Sequence, residues 1–201
     1  MNLTADQIDA IQELVNIGVG RAASVLNEML EASIRLQVPY IKVKSPLELE
    51  TEMENRLGLE QIAAVRQDFS GSFSGIAELV FPTDSASMLA AILTGEEPGT
   101  PDLDAVKIST LSEVGNILIN SVIGSIGNLI NQNLDYDLPI YIEDTVKNLL
   151  HASQSDHQNT ILLAQTHFAI EQYQIRGDII LIFEVGSFDL LMNAIASEIC
   201  V

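Results

Sequence analysis

The sequence predicts an α+β fold in which an α-β-α-β-β-α unit occurs twice. Three observations predict it. Residue n corresponds to residue n+100 through the first part of each half, so that Glu13, Asn16 and Pro39 fall on Glu113, Asn116 and Pro139, with Asp9 on Ser109. After two inserted residues the match resumes, "GIAELVFPTDSASMLAAIL" from Gly75 against "GDIILIFEVGSFDLLMNAI" from Gly177, with Phe81 on Phe183 and Leu89 on Leu191. Within each half, helical periodicity gives way to short apolar runs suited to antiparallel strands and then returns.

In the first half, Thr4 and Gln7 form a T-x-x-Q capping box ahead of a helix of about seven turns. Ile8, Ile11, Leu14, Val15, Ala22, Val25, Leu26 and Met29 recur along it at helical period. "LQVPYIKVK" reads as a strand interrupted by Pro39, and "SPLELETEMENR" as a short acidic helix with Pro46 near its start. "QIAAVRQDF" and "GIAELVFP" suit two antiparallel strands joined at Ser70 to Ser74, and "TDSASMLAAIL" a closing helix capped by Thr83 or Asp84. The second half repeats the series with "LSEVGNILINSVIGSIGNLI", "LPIYIED", "TVKNLLHA", "TILLAQTHF", "GDIILIFEV" and a last helix from Ser187. "GEEPGTPDLDA", residues 95–105, has the Pro, Gly and acidic composition of a joint between halves at about 1–100 and 101–201 that stay packed as a single domain.

The chain has 201 residues, 47% of them hydrophobic, enough to bury a core. Nine Lys and Arg against 28 Asp and Glu leave a net charge of −19, which opposes nucleic acid and anionic membrane as partners. A single Cys200 allows no internal disulfide, and His151, His157 and His167 have no zinc-ligand spacing, so no metal or cofactor is expected and a cytoplasmic location fits. "MNLTADQID" lacks the basic and apolar regions of a signal peptide, and no apolar run approaches the roughly 18 residues of a membrane span, so no membrane insertion is expected.

At 100° per residue, with Asp9 at 0°, Glu13 lies at about 40°, Asn16 at about −20° and Gly20 at about 20°. Ile11, Leu14, Ala22, Val25 and Met29 fall between about 140° and 220°, the expected core face, so the polar line faces outward. Ser109, Glu113, Asn116 and Asn120 form the same line on the second helix, and two solvent-facing sites are expected. Asn is a mediocre interior helix former, so its return at the same offset points to function. No Ser/His or Cys/His pairing suggests a covalent intermediate. A carboxamide can hold a water through donor and acceptor, and a carboxylate can pair with a cation. On a convex helix these groups act inside the cleft of a macromolecular partner.

The pattern D/S-x3-E-x2-N-x22-P, met as Asp9-Glu13-Asn16-Pro39 and as Ser109-Glu113-Asn116-Pro139, resembles the CheC/CheX/FliY phosphatases of chemotaxis. Two complete motifs in a chain of this length most resemble CheC. CheX-type chains carry one site and FliY-type chains are longer. The resemblance implies hydrolysis of the aspartyl phosphate on a response-regulator receiver domain of CheY type, in chemotaxis or related two-component signalling. Asn16 and Asn116 would orient the attacking water, Glu13 and Glu113 would engage the receiver's lysine, and Mg²⁺ would come with the receiver. Asp9 and Ser109 complete the motif, and Pro39 and Pro139 shape the strand beside each helix. Gly20, opposite Asn120, either gives the partner room or serves helix packing. The resemblance also implies pseudo-twofold symmetry, two long helices side by side on the surface, a monomer, and a CheD-type receptor deamidase as a further partner. The competing readings are a non-catalytic module that docks a receiver or a deamidase, a flagellar-switch component, and a metal-dependent hydrolase. The last would need convergent Asp and His ligands that the sequence does not supply.

Overall fold

The computed structural model describes residues 4–57, 61–96, 103–152 and 161–184. In chain order the elements are α1 (Ala5–Leu30), β1 (Arg35–Leu36), β2 (Tyr40–Lys44), α2 (Pro46–Leu57), β3 (Gln61–Gly71), β4 (Gly75–Pro82) and α3 (Thr83–Thr94), followed by α4 (Leu103–Leu129), β5 (Leu134–Tyr136), β6 (Ile140–Thr145), α5 (Val146–Ala152), β7 (Ile161–Ile170) and β8 (Ile175–Glu184). The predicted α+β order is present in the first half and, as far as the described residues run, in the second. The helix expected from Ser187, and Cys200, lie outside the described residues.

Among the described residues eight strands join one antiparallel sheet, in the order β1-β7-β8-β4-β3-β5, with β2 on β7 and β6 on β3. The registers relate the halves by a pseudo-twofold. Phe69 pairs with Gly75 as Phe168 pairs with Gly177, and Arg66 pairs with Ile140 as Gln165 pairs with Tyr40. Each glycine is required: a Cβ on Gly75 would fall 2.6 Å from Phe69 Cζ, and one on Gly177 2.6 Å from Phe168 Cζ. The same registers make Gln67 the counterpart of Thr166. The axis passes between β4 and β8, where Glu78 faces Ile180.

The sheet is buried on both faces, which is why its central strands read as near-continuous apolar runs and not as alternating ones. On one face α1, α3 and α4 cover Ala63, Val65, Phe69, Leu79, Phe81, Phe168, Leu181 and Phe183. On the other, α2 and α5 cover a smaller cluster that includes Met53, Ala64, Val80, Val146, Leu149, Leu163 and Ile180. Among the described residues, no helix is long and apolar enough to cross a membrane.

The capping box of α1 forms as predicted: Gln7 N–H donates to Thr4 Oγ1 at 3.2 Å, and Thr4 N–H to Gln7 Oε1 at 2.9 Å. Three local expectations are corrected. Neither Thr83 nor Asp84 caps α3, because the strand runs directly into the helix with Pro82 at the cap and no side-chain capping bond. Leu103 to Ala105, assigned to the joint, already belong to α4, and Gly95 ends α3 at φ 71°. The strand expected at "LPIYIED" begins only after Pro139, as β6, and a separate short strand, β5, precedes it, just as β1 and β2 flank Pro39.

Candidate functional site on the paired long helices

α1 and α4 pack along each other, and Gly18 makes the close approach possible: a Cβ there would lie 2.8 Å from the Val122 carbonyl oxygen. Arg21 Nη1 donates to Ser125 Oγ across the same seam at 3.3 Å. The buried stripe of α1 is Ile11, Val15, Gly18, Val19, Ala22, Leu26 and Leu30. It is turned by several tens of degrees from the expected core face: Leu14 and Val25 are half-buried at its edge and Met29 is 36% exposed. The physical reason is that α1 must satisfy two surfaces, the sheet beneath and α4 beside it.

Asp9, Glu13, Asn16 and Gly20 are all exposed, as the helical geometry requires. No hydrogen bond engages the side chains of Glu13 or Asn16 among the described residues, so both present their full donor and acceptor capacity. Pro39 is buried, and its carbonyl accepts from Gln12 Nε2 at 2.7 Å, which fastens the strand break to the residue before Glu13. A Cβ on Gly20 would meet nothing within 4 Å, so packing does not account for that glycine.

The second line is different. Ser109 and Glu113 are exposed, but Asn116 and Asn120 are half-buried, which corrects the expectation that the whole second line faces solvent. Asn116 Oδ1 accepts from Asn120 Nδ2 at 2.9 Å and from Gln67 Nε2 at 3.4 Å, and Gln67 Nε2 also donates to the Asp137 carbonyl at 2.8 Å. Gly115 is the cause of the greater depth. A Cβ there would fall 2.3 Å from Val65 Cγ1, so only glycine lets α4 settle this close to β3, whereas α1 carries Val15 at the corresponding place. Pro139 is half-buried and its loop is held by Gln67 from the sheet, while Pro39 is held by Gln12 from the helix.

Reading the sequence missed Gln67 and Gln12. Gln67 left a signal, because Ala63, Val65, Gln67 and Phe69 form one alternating face of β3 and three of the four are apolar. Gln12 left none, being one more polar residue on a helix flank.

α4 is further anchored by Lys107 Nζ, which donates to Glu143 Oε1 at 2.5 Å, and Tyr141 O–H donates to the same oxygen. Burial pushes the Glu143 carboxyl up, but the bonds from Lys107 and Tyr141 outweigh it and hold the group below the ordinary carboxylate value. A shallow hollow of about 360 Å³ adjoins Ser109 and Glu113, with Met29, Leu93, Thr110 and Val114 completing its lining. A larger one of about 570 Å³, between β2 and α2, is lined by Tyr40, Lys44, Leu47, Glu48, Thr51, Glu52 and Asn55 and contains no motif side chain. Among the described residues no group of three or more His, Cys, Asp or Glu side chains could hold a metal ion.

The profile of the CheC-like family matches residues 7–43, the segment that holds Glu13, Asn16 and Pro39. The chain is 25% identical over 211 aligned residues to the CheY-P phosphatase CheC of Bacillus subtilis, covering 96% of both chains. It is 23% identical over 140 residues to the flagellar motor switch phosphatase FliY of the same organism, and that match spans 36% of FliY. In fold it is similar to Thermotoga maritima FliY, with a TM-score of 0.79 over 98% of this chain and 100% of that one at 16% identity. It is also similar to a chain in the CheX-CheY-BeF3-Mg complex from Borrelia burgdorferi, with a TM-score of 0.58 over 85% and 97% at 20% identity. The resemblance to the CheC/CheX/FliY family thus holds in sequence and in architecture.

Proposed function

We propose, from that CheC/CheX/FliY likeness as premise, that this chain is a chemotaxis phosphatase that hydrolyses the aspartyl phosphate of a CheY-type receiver domain. The observation that carries the reading is the Glu13–Asn16 pair, standing exposed and unengaged on α1. The likeness over 96% of the chain to a CheY-P phosphatase supports it.

On this reading α1 enters the receiver's phosphorylation cleft. Asn16 holds the attacking water through its carboxamide, and Glu13 pairs with a receiver cation, which draws the two proteins into register. The receiver brings Mg²⁺, which neutralises the phosphoryl oxygens when bound. The contribution of this chain is position and charge, with no covalent intermediate. Pro39, pinned by Gln12, keeps the neighbouring strand break clear of the cleft. Glu113 and Asn116 carry the same residue types at a second site, Asp9 and Ser109 flank the two pairs, and the chain forms one domain from two repeats.

The alternative, docking without efficient turnover, is favoured at the second site by the engagement of the Asn116 oxygen. The deciding experiment follows phosphate loss from a phosphorylated CheY-type receiver in Mg²⁺, with the protein, without it, and with Asn16→Ala/Asn116→Ala. Acceleration that vanishes in the double variant is expected. Acceleration that persists would remove the mechanism.

A further inference from the structure

Gln67 stands on the face of β3 that otherwise delivers Ala63, Val65 and Phe69 to the core, and is itself 2% exposed. Its Nε2 is shared between Asp137 O and Asn116 Oδ1. Asn120, one turn along α4, donates to the same Asn116 oxygen. A carboxamide oxygen has two lone pairs, so both are occupied. The network serves its own members poorly: Gln67 Oε1 and Asn120 Oδ1 are buried without a hydrogen-bond partner. Besides tying the Asp137 loop to β3, the network fixes the orientation of Asn116.

We infer that Gln67 and Asn120 are positioning residues that fix the Asn116 carboxamide with its oxygen inward and its amine outward, so that the second site donates hydrogen bonds but does not accept them. This rests on the phosphatase reading. A carboxamide that accepts a hydrogen bond from water turns the water's lone pair toward phosphorus. One that only donates grips lone pairs instead, those of phosphoryl oxygens or of the water itself. The second site therefore holds a phosphorylated receiver and turns it over slowly, and hydrolysis falls to Asn16. The first half lacks the device, because Thr166 and Gly20 occupy the places of Gln67 and Asn120.

The test compares Asn16→Ala, which leaves the second site, with Asn116→Ala, which leaves the first, using a phosphorylated CheY-type receiver and Mg²⁺. Asn16→Ala is expected to have a kcat about 30-fold below that of Asn116→Ala without a higher KM, the factor for surrendering two neutral hydrogen bonds of ~1 kcal/mol each. Adding Gln67→Thr or Asn120→Gly to Asn16→Ala should raise kcat. Equal kcat from the two single variants overturns the inference, as does a further fall on adding either substitution to a chain whose circular dichroism is unchanged. The side-chain carbonyl ¹³C shift supplies a readout free of turnover. That of Asn116 should lie downfield of that of Asn16 and move toward it in Gln67→Thr; identical shifts in the wild type overturn the inference. A wild type that leaves phosphate loss unchanged would refute the phosphatase reading alone, and the carbon shift would still decide the orientation.

Discussion

The two long helices carry the same polar line at the same spacing, yet one presents it to solvent and the other draws half of it inward. On α1, Val15 rests against the core and Asn16 stands clear, while on α4 Gly115 lets the backbone sink toward Val65 and brings Asn116 within reach of Gln67. The lesson is that a helical wheel gives direction but not depth. Depth is set by the side chains on the opposite face, and the Cβ missing at position 115 acts together with Gln67 and Asn120 in making one carboxamide engaged while the other stays free.

The comparison can be broken outright by removing both carboxamides. Asn16→Ala/Asn116→Ala should abolish receiver dephosphorylation. Its melting temperature should stay within a degree or two of the wild type, because Asn16 is exposed and the Asn116 bonds are few. A collapsed melting curve would mean that these residues serve the fold.

The depth difference can be attacked at its source. Gly115→Val would press two methyl groups onto Val65 and lift α4 from β3, with a cost of ~1–3 kcal/mol and a fall in Tm of several degrees. The reciprocal Val15→Gly should cost a similar ~1–3 kcal/mol through lost packing and helix propensity. If Gly115→Val melted like the wild type, glycine would not be what sets the depth of α4.

A finer probe separates how the two prolines are held. Gln12→Ala leaves the buried Pro39 carbonyl without its donor, for ~1 kcal/mol of stability in urea titration. Its effect on turnover should appear in Asn116→Ala, where only the first site remains, and not in Asn16→Ala.

The smallest effect concerns the anchor that only α4 possesses. Glu143 has a lowered pKa in the folded chain, so its contribution is present above the ordinary value of 4.5 and is lost as pH falls through the folded value below it. At the corresponding places α1 and β2 carry Gln7 and Val43. Glu143→Gln should flatten the decline of the urea midpoint as pH falls below 4.5, by an amount kept small by solvent screening of a partly exposed pair. An unchanged slope would show that the pair does not help hold α4.

Much of this was legible residue by residue. Thr4 and Gln7 announced the start of α1 through local hydrogen bonding, Pro39 announced the break between β1 and β2 through a missing donor, and the doubled Glu-x-x-Asn spacing announced two polar lines. Each is a short-range consequence of covalent geometry. The misplaced cap of α3 shows where that stops, since β4 delivers its chain to Thr83 without needing a side-chain cap.

What the sequence determined by itself was the α+β order, the duplication of its halves, and the identity of the residues offered at each site. What only the tertiary structure decided was the rotation of the α1 core face by its contact with α4, the depth of α4 on β3, and the network from Gln67 that engages Asn116. Those depend on how close two backbones come across separations of 49 positions for Gln67 and Asn116 and 104 for Arg21 and Ser125. That distance is a balance of packing summed over the whole interface, and no local pattern records it.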